Sequence, residues 1–135
     1  MENRAYELIA LRPEILNARV SPNMTTDEQF QNRTIRPIVK LQNDLLIEVF
    51  RNYVVKRKNT FYELSVDLRM AFIENAIQKD MKFRNILKGI VIGQFTVDEY
   101  IQYTKNSSSL NKRMMNIVKE RLQSNIQLLD LTRAV

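Results

Sequence analysis

The segment at residues 34–58, TIRPIVKLQNDLLIEVFRNYVVKRK, constrains the fold more than any other stretch of the chain. On a helix advancing about 100° per residue from Ile38, its apolar side chains cover more than half the circumference. They are Ile38, Val39, Leu41, Leu45, Leu46, Ile47, Val49, Phe50, Tyr53 and Val54, while Lys40, Asp44, Glu48 and Arg51 share the narrow remainder. A helix lying on one neighbouring layer shows an apolar stripe only a little over ~100° wide, so this one has to be wrapped by other elements. The segment predicts a long central helix inside a bundle.

The wrapping elements are predicted to be helices. Two glycines and three prolines in 135 residues leave too few tight-turn residues for an all-β chain. A chain of this length forms one core, so the expected fold is all-α, a single-domain bundle of five to six helices. Residues 1–25 read as an N-terminal arm broken by Pro13 and Pro22, and 26–135 as the helical domain. Thr26-Asp27-Glu28-Gln29 is a capping box, and Pro37 predicts a kink or break within a residue or two of Arg36. The central helix should stop near Lys58, before an Asn59-Thr60 turn. Ser65 caps a helix that buries Leu68, Phe72, Ile73, Ala76 and Ile77. Asp80 caps the next, with Phe83, Ile86, Leu87, Ile90 and Val91 facing inward and Gly93 at its end. Thr96-Val97-Asp98-Glu99 is a second capping box. Asn106 and the three serines after it form a loop, and a long last helix runs toward Leu131 with Leu110, Met114, Met115, Ile117, Val118, Leu122, Ile126, Leu128 and Leu129 on its apolar arc.

No apolar run approaches the ~18–20 residues needed to span a bilayer. The N-terminus carries charges where a signal peptide needs an apolar stretch. With no cysteine, these features lead to the expectation of a cytoplasmic protein without a membrane span.

The chain also contains no histidine. That excludes Cys/His zinc sites, Ser-His-Asp and Cys-His catalysis, and histidine-ligated haem. Two glycines cannot build a phosphate-cradling loop. Asp44 and Glu48 lie one turn apart, but Lys40 and Arg51 flank them, which reads as a solvated charge ladder. No catalytic residue, metal ligand or cofactor is expected. Polar groups inside apolar arcs are more informative. Gln42 falls at roughly 40° and Asn43 at roughly 140° on the central helix. On the last helix Arg121 sits mid-arc, with Asn125 one turn on. Gln42, Asn43, Arg121 and Asn125 are candidates for a buried polar site able to hold a small anion, with Arg121 mostly buried against an acceptor from another helix.

The net charge of +6 is unevenly placed. Residues 1–55 balance at seven basic and seven acidic side chains, whereas residues 56–135 carry fourteen basic against eight acidic. Lys79, Lys82, Arg84 and Lys88 form a further basic group, and such a bias suits either a solvated helical surface or an anionic partner; Lys56, Arg57, Lys58, Lys112 and Arg113 are the candidate nucleic-acid contacts.

RPIVKLQNDLLIEVFRNYV, FIENAIQKDMKFRN, LKGIVIGQFTVDEY and NKRMMNIVKERLQS together resemble a small uncharacterised all-helical bacterial family whose members are often labelled glyoxalase. The resemblance spans roughly residues 28–129. The label implies metal chemistry on histidine and glutamate ligands, and this chain, without histidine, supplies no residues to carry over. The leading expectation from the wide apolar arcs and six methionines is a helical interaction module that binds a protein partner or self-associates. The alternative is a nucleic-acid binder using the basic residues beyond Lys56, and a weaker one is a small-anion-binding protein or enzyme.

Overall fold

A computed structural model describes residues 2–15 and 19–129. The described chain is helical with no strand. Helix α1 is Glu2–Leu11, α2 is Thr26–Phe30, and a π-helical turn, Gln31–Ile35, leads into α3, Arg36–Leu41. Helix α4 is Asn43–Val55, followed by a 3₁₀ turn at Thr60–Glu63. Then come α5 (Val66–Lys79), α6 (Met81–Ile92), α7 (Val97–Thr104), α8 (Ser107–Ser124) and α9 (Ile126–Leu129). Residues 26–55 run almost continuously, as do 107–129, so the described chain forms six helical bodies.

Pro37 does not break the chain. The backbone stays helical through Ile35 and Arg36, and the Arg36 N–H reaches back five residues to the Gln31 carbonyl. A proline ring collides with the carbonyl four residues earlier, here that of Arg33; a turn widened by one residue moves that carbonyl aside. The irregularity expected within a residue or two of Arg36 therefore takes the form of a π turn ending at Ile35. A further interruption lies at Gln42, whose φ of −89° and ψ of 6° leave the helical region. Beyond it the apolar arc is narrower than the sequence implies. Leu46, Ile47, Phe50 and Val54 are buried, but Leu45 is 49% exposed.

The capping chemistry mostly follows the sequence. Ser65, Asp80 and Thr96 accept hydrogen bonds from the N–H groups of Leu68, Phe83 and Glu99. The first cap is Thr25, one residue before the predicted Thr26, bonding the Glu28 N–H at 3.2 Å. Helix α4 stops at Val55, where Lys58 and Asn59 adopt positive φ and the Asn59 N–H closes onto the Val54 carbonyl. Asn106 precedes α8 without a side-chain cap. The last helix breaks at Asn125, and its predicted end at Leu131 lies outside the described residues. Leu68, Ile86 and Leu128, expected inside, are exposed. Leu68 lies in the first turn of α5 and Leu128 beside the break at Asn125, while Ile86 is mid-helix in α6.

Phe50 is the centre of an aromatic cluster with Tyr53, Phe61, Phe72 and Phe83. Helix α8 packs against α3, α4, α5, α6, α7 and the π turn, so it shares the central position with α4. The N-terminal arm is held largely by charge. Arg4 donates to the carbonyls of Gly93 and Phe95, and Arg12 to that of Gln94, three consecutive acceptors left over where α6 ends.

Candidate polyanion-binding track

The site starts at the corner between α5 and α6, where a single residue, Asp80, separates the two helices. Its carboxylate caps α6 through the Phe83 N–H at 3.1 Å, accepts the Tyr53 hydroxyl at 3.1 Å, and pairs with Arg57 at 2.6 Å. The main-chain bond from Phe83 is the chief reason its carboxyl is held below the usual range. Burial, reinforced by the bond to Asp80, pushes the Tyr53 phenol up. The Arg57 guanidinium carbon lies over the Tyr53 ring, 3.5 Å from its centroid, and Tyr53 in turn packs on Phe83 at 4.1 Å.

Grooves adjoin this corner. One of about 290 Å³ is lined by Val49, Asn52, Tyr53, Lys56, Arg57, Asp80, Lys82, Phe83 and Ile86. A second, of about 530 Å³, shares Tyr53, Arg57 and Asp80 with it and adds Lys79 and Met81. Met81 continues into a third of about 540 Å³ between the α5–α6 corner and α8, where Arg84, Lys112 and Lys119 surround a floor of Ile77 and Met115 and no carboxylate lines the wall. Lys112 and Asn116 join it to a fourth, of about 420 Å³, with Arg36, Arg113 and Glu120. Nine cations line this series of grooves, against two carboxylates, one of which is already paired.

Of the cations singled out in the sequence, Lys56 and Arg57 stand at one end of the track and Lys112 and Arg113 at the other, where Arg113 bonds the Gln31 side chain at 2.9 Å. Lys58 and Lys88 line none of these grooves. Sequence reasoning missed Arg36 and Lys119. The spacing Lys112, Asn116, Lys119 on one face of α8 was a legible signal, but Arg36 reaches the track only because α3 packs on α8.

The buried polar candidates separate. The Asn125 amide donates to the Asn43 side chain at 3.1 Å and to the Arg121 carbonyl at 2.7 Å, joining the break after α8 to the start of α4. Gln42 donates to the Ile90 carbonyl. Arg121 is largely, though not fully, buried as expected, but among the described residues its guanidinium meets no acceptor, and the carbonyl is what Ser124 and Asn125 bond. At the last turn of a helix a long side chain keeps its stem on apolar neighbours while its charge stays hydrated. Asp44 is exposed and Glu48 pairs with Arg51 at 2.7 Å. Among the described residues no three acidic side chains gather as a metal site would require, and no helix is long and apolar enough to cross a membrane. No family model, curated protein or solved structure matches the chain, so no relative's chemistry is carried onto these residues.

Proposed function

We propose that the chain is a nucleic-acid-binding protein that holds a phosphate backbone along the track from Lys56 to Arg113. The observation that supports this reading is the lining of adjoining grooves by nine cations and two carboxylates. A solvated helical surface mixes signs and forms ion pairs. Here Lys79, Lys82, Arg84, Lys112 and Lys119 have no carboxylate within pairing distance among the described residues. The mechanism is counterion release: each phosphate neutralised frees a condensed cation, so affinity falls linearly in log–log form with salt. Binding of labelled nucleic acid across a salt series tests it. Wild type should give a steep slope, and replacing Lys112 and Lys119 by glutamine should flatten it by about 0.7–0.9 per lost phosphate contact. No salt-dependent retention would remove the reading.

A second reading, a protein-interaction or self-association module, draws on Val97, Tyr100 and Ile101. They share one face of α7 and are 40%, 48% and 51% exposed. Methionine plasticity supports it less, because Met114 and Met115 are buried in the core. Sedimentation at rising concentration distinguishes the two: a monomer throughout leaves self-association without support.

A further inference from the structure

We infer that the strand bound along this track is single, and that the Arg57 guanidinium is a platform on which one of its bases stacks. The inference rests on the nucleic-acid reading and specifies its ligand. Arg57 is held from two directions. Its guanidinium carbon lies over the Tyr53 ring at 3.5 Å, Asp80 pairs with it at 2.6 Å, and Tyr53 itself is braced by Phe83 at 4.1 Å. Yet 40% of the Arg57 side chain remains exposed, and it borders two grooves rather than lying buried in one. A guanidinium fixed this way loses little further freedom when a flat π system settles on it.

The surroundings suit a nucleotide better than a bare anion. Lys56 and Lys82 line the smaller groove, while Val49 and the half-exposed Ile86 supply apolar wall. Alternation of cations with flat or apolar surface is what an unpaired strand requires, since its phosphates and its base faces are both available. A duplex offers the phosphates alone, its bases being stacked on one another, so a stacking platform gains nothing from it.

The test uses the full chain and three labelled probes of equal phosphate number: oligothymidylate, the corresponding duplex, and an abasic phosphodiester oligomer. Oligothymidylate should bind roughly tenfold tighter than the abasic oligomer, in line with the usual worth of one stacked base. R57K keeps the charge and can still pair with Asp80, but it has no plane. It should bring the two affinities together while leaving the salt slope unchanged, which a merely structural role for Arg57 would not do. Equal affinity of wild type for oligothymidylate and abasic oligomer, or tighter binding of the duplex, overturns the stacking inference and leaves the polyanion reading standing. Salt-dependent binding of none of the three removes both. The wild-type comparison needs no variant, so a misfolded R57K does not protect the idea.

Discussion

Glu99 accepts four hydrogen bonds, two from Arg12 at 2.6 and 2.7 Å, one from Thr34 at 2.9 Å and one from the Thr96 N–H at 2.8 Å. It ties the N-terminal arm, the π turn and the start of α7 to one carboxylate. Burial opposes its ionisation, but the bonds from Arg12, Thr96 and Thr34 outweigh it and hold the carboxyl below the usual range. A depressed folded-state value means stability present above the ordinary glutamate value near ~4.3 and lost as pH falls through the lower, folded value. The melting temperature of wild type should therefore drop on acidification below about pH 4.3 more steeply than that of Glu99→Gln. Equal acid sensitivity of the two would contradict the assignment. Glu99→Ala strands a buried Arg12, a defect worth about 3 kcal/mol where the cation cannot escape. Arg12 can regain water if the arm detaches, so the global loss should be smaller and proteolysis of residues 2–15 should accelerate. The Asn43–Asn125 bond makes a second residue-scale prediction: a double-mutant cycle to alanine should return about 0.5–1 kcal/mol of coupling. Additivity would mean that the two amides do not meet.

At the scale of elements, the π turn is held from both sides. Phe30, just before it, packs edge-on against Phe95 at 5.5 Å, and Thr34 within it bonds Glu99. An extra residue in the turn is what lets both contacts form while Ile38 and Val39 stay in the core. Pro37→Ala should thus keep the π turn, gain no helical circular dichroism, and change stability by no more than about 1 kcal/mol, since a recovered hydrogen bond offsets a freer unfolded chain. A clear gain in helix signal would show that proline alone imposes the distortion. The α5–α6 corner is more sensitive, because Asp80 is at once a cap, an acceptor for Tyr53 and the partner of Arg57. Asp80→Asn should lower the melting temperature and, by loosening Arg57, reduce the preference for oligothymidylate over its abasic counterpart. Loss of stability with that preference intact would separate the cap from the platform.

For the whole molecule, the excess of +6 falls in residues 56–135, and nine cations line the four adjoining grooves. Cations brought together at α3, α5, α6 and α8 repel one another in the absence of a ligand. Neutralising Lys112 and Lys119 should leave the melting temperature unchanged or raise it slightly at low salt, the reverse of its effect on affinity. A large loss of stability would make these lysines structural and count against a binding role. Function and stability then pull in opposite directions, as they do where a site is built from like charges.

The fold class was legible because helical periodicity, capping residues and the scarcity of glycine and proline are local properties. Ser65, Asp80 and Thr96 cap where their neighbours in sequence require it. The basic half of the chain could be counted, and Lys112, Arg113, Lys56 and Arg57 could be named. Which cations meet could not, because Arg36, Arg84 and Lys119 belong to three helices whose crossing is set by core packing, a sum over many weak contacts invisible in any one window. The same reason governs the misses. Leu45 and Leu128 lie beside breaks that rotate an arc, and the Arg121 guanidinium meets no acceptor among the described residues. Pro37 has a neighbouring turn that can widen. Sequence specifies the helices and their chemistry; tertiary packing decides which faces are covered, and so where the charges converge.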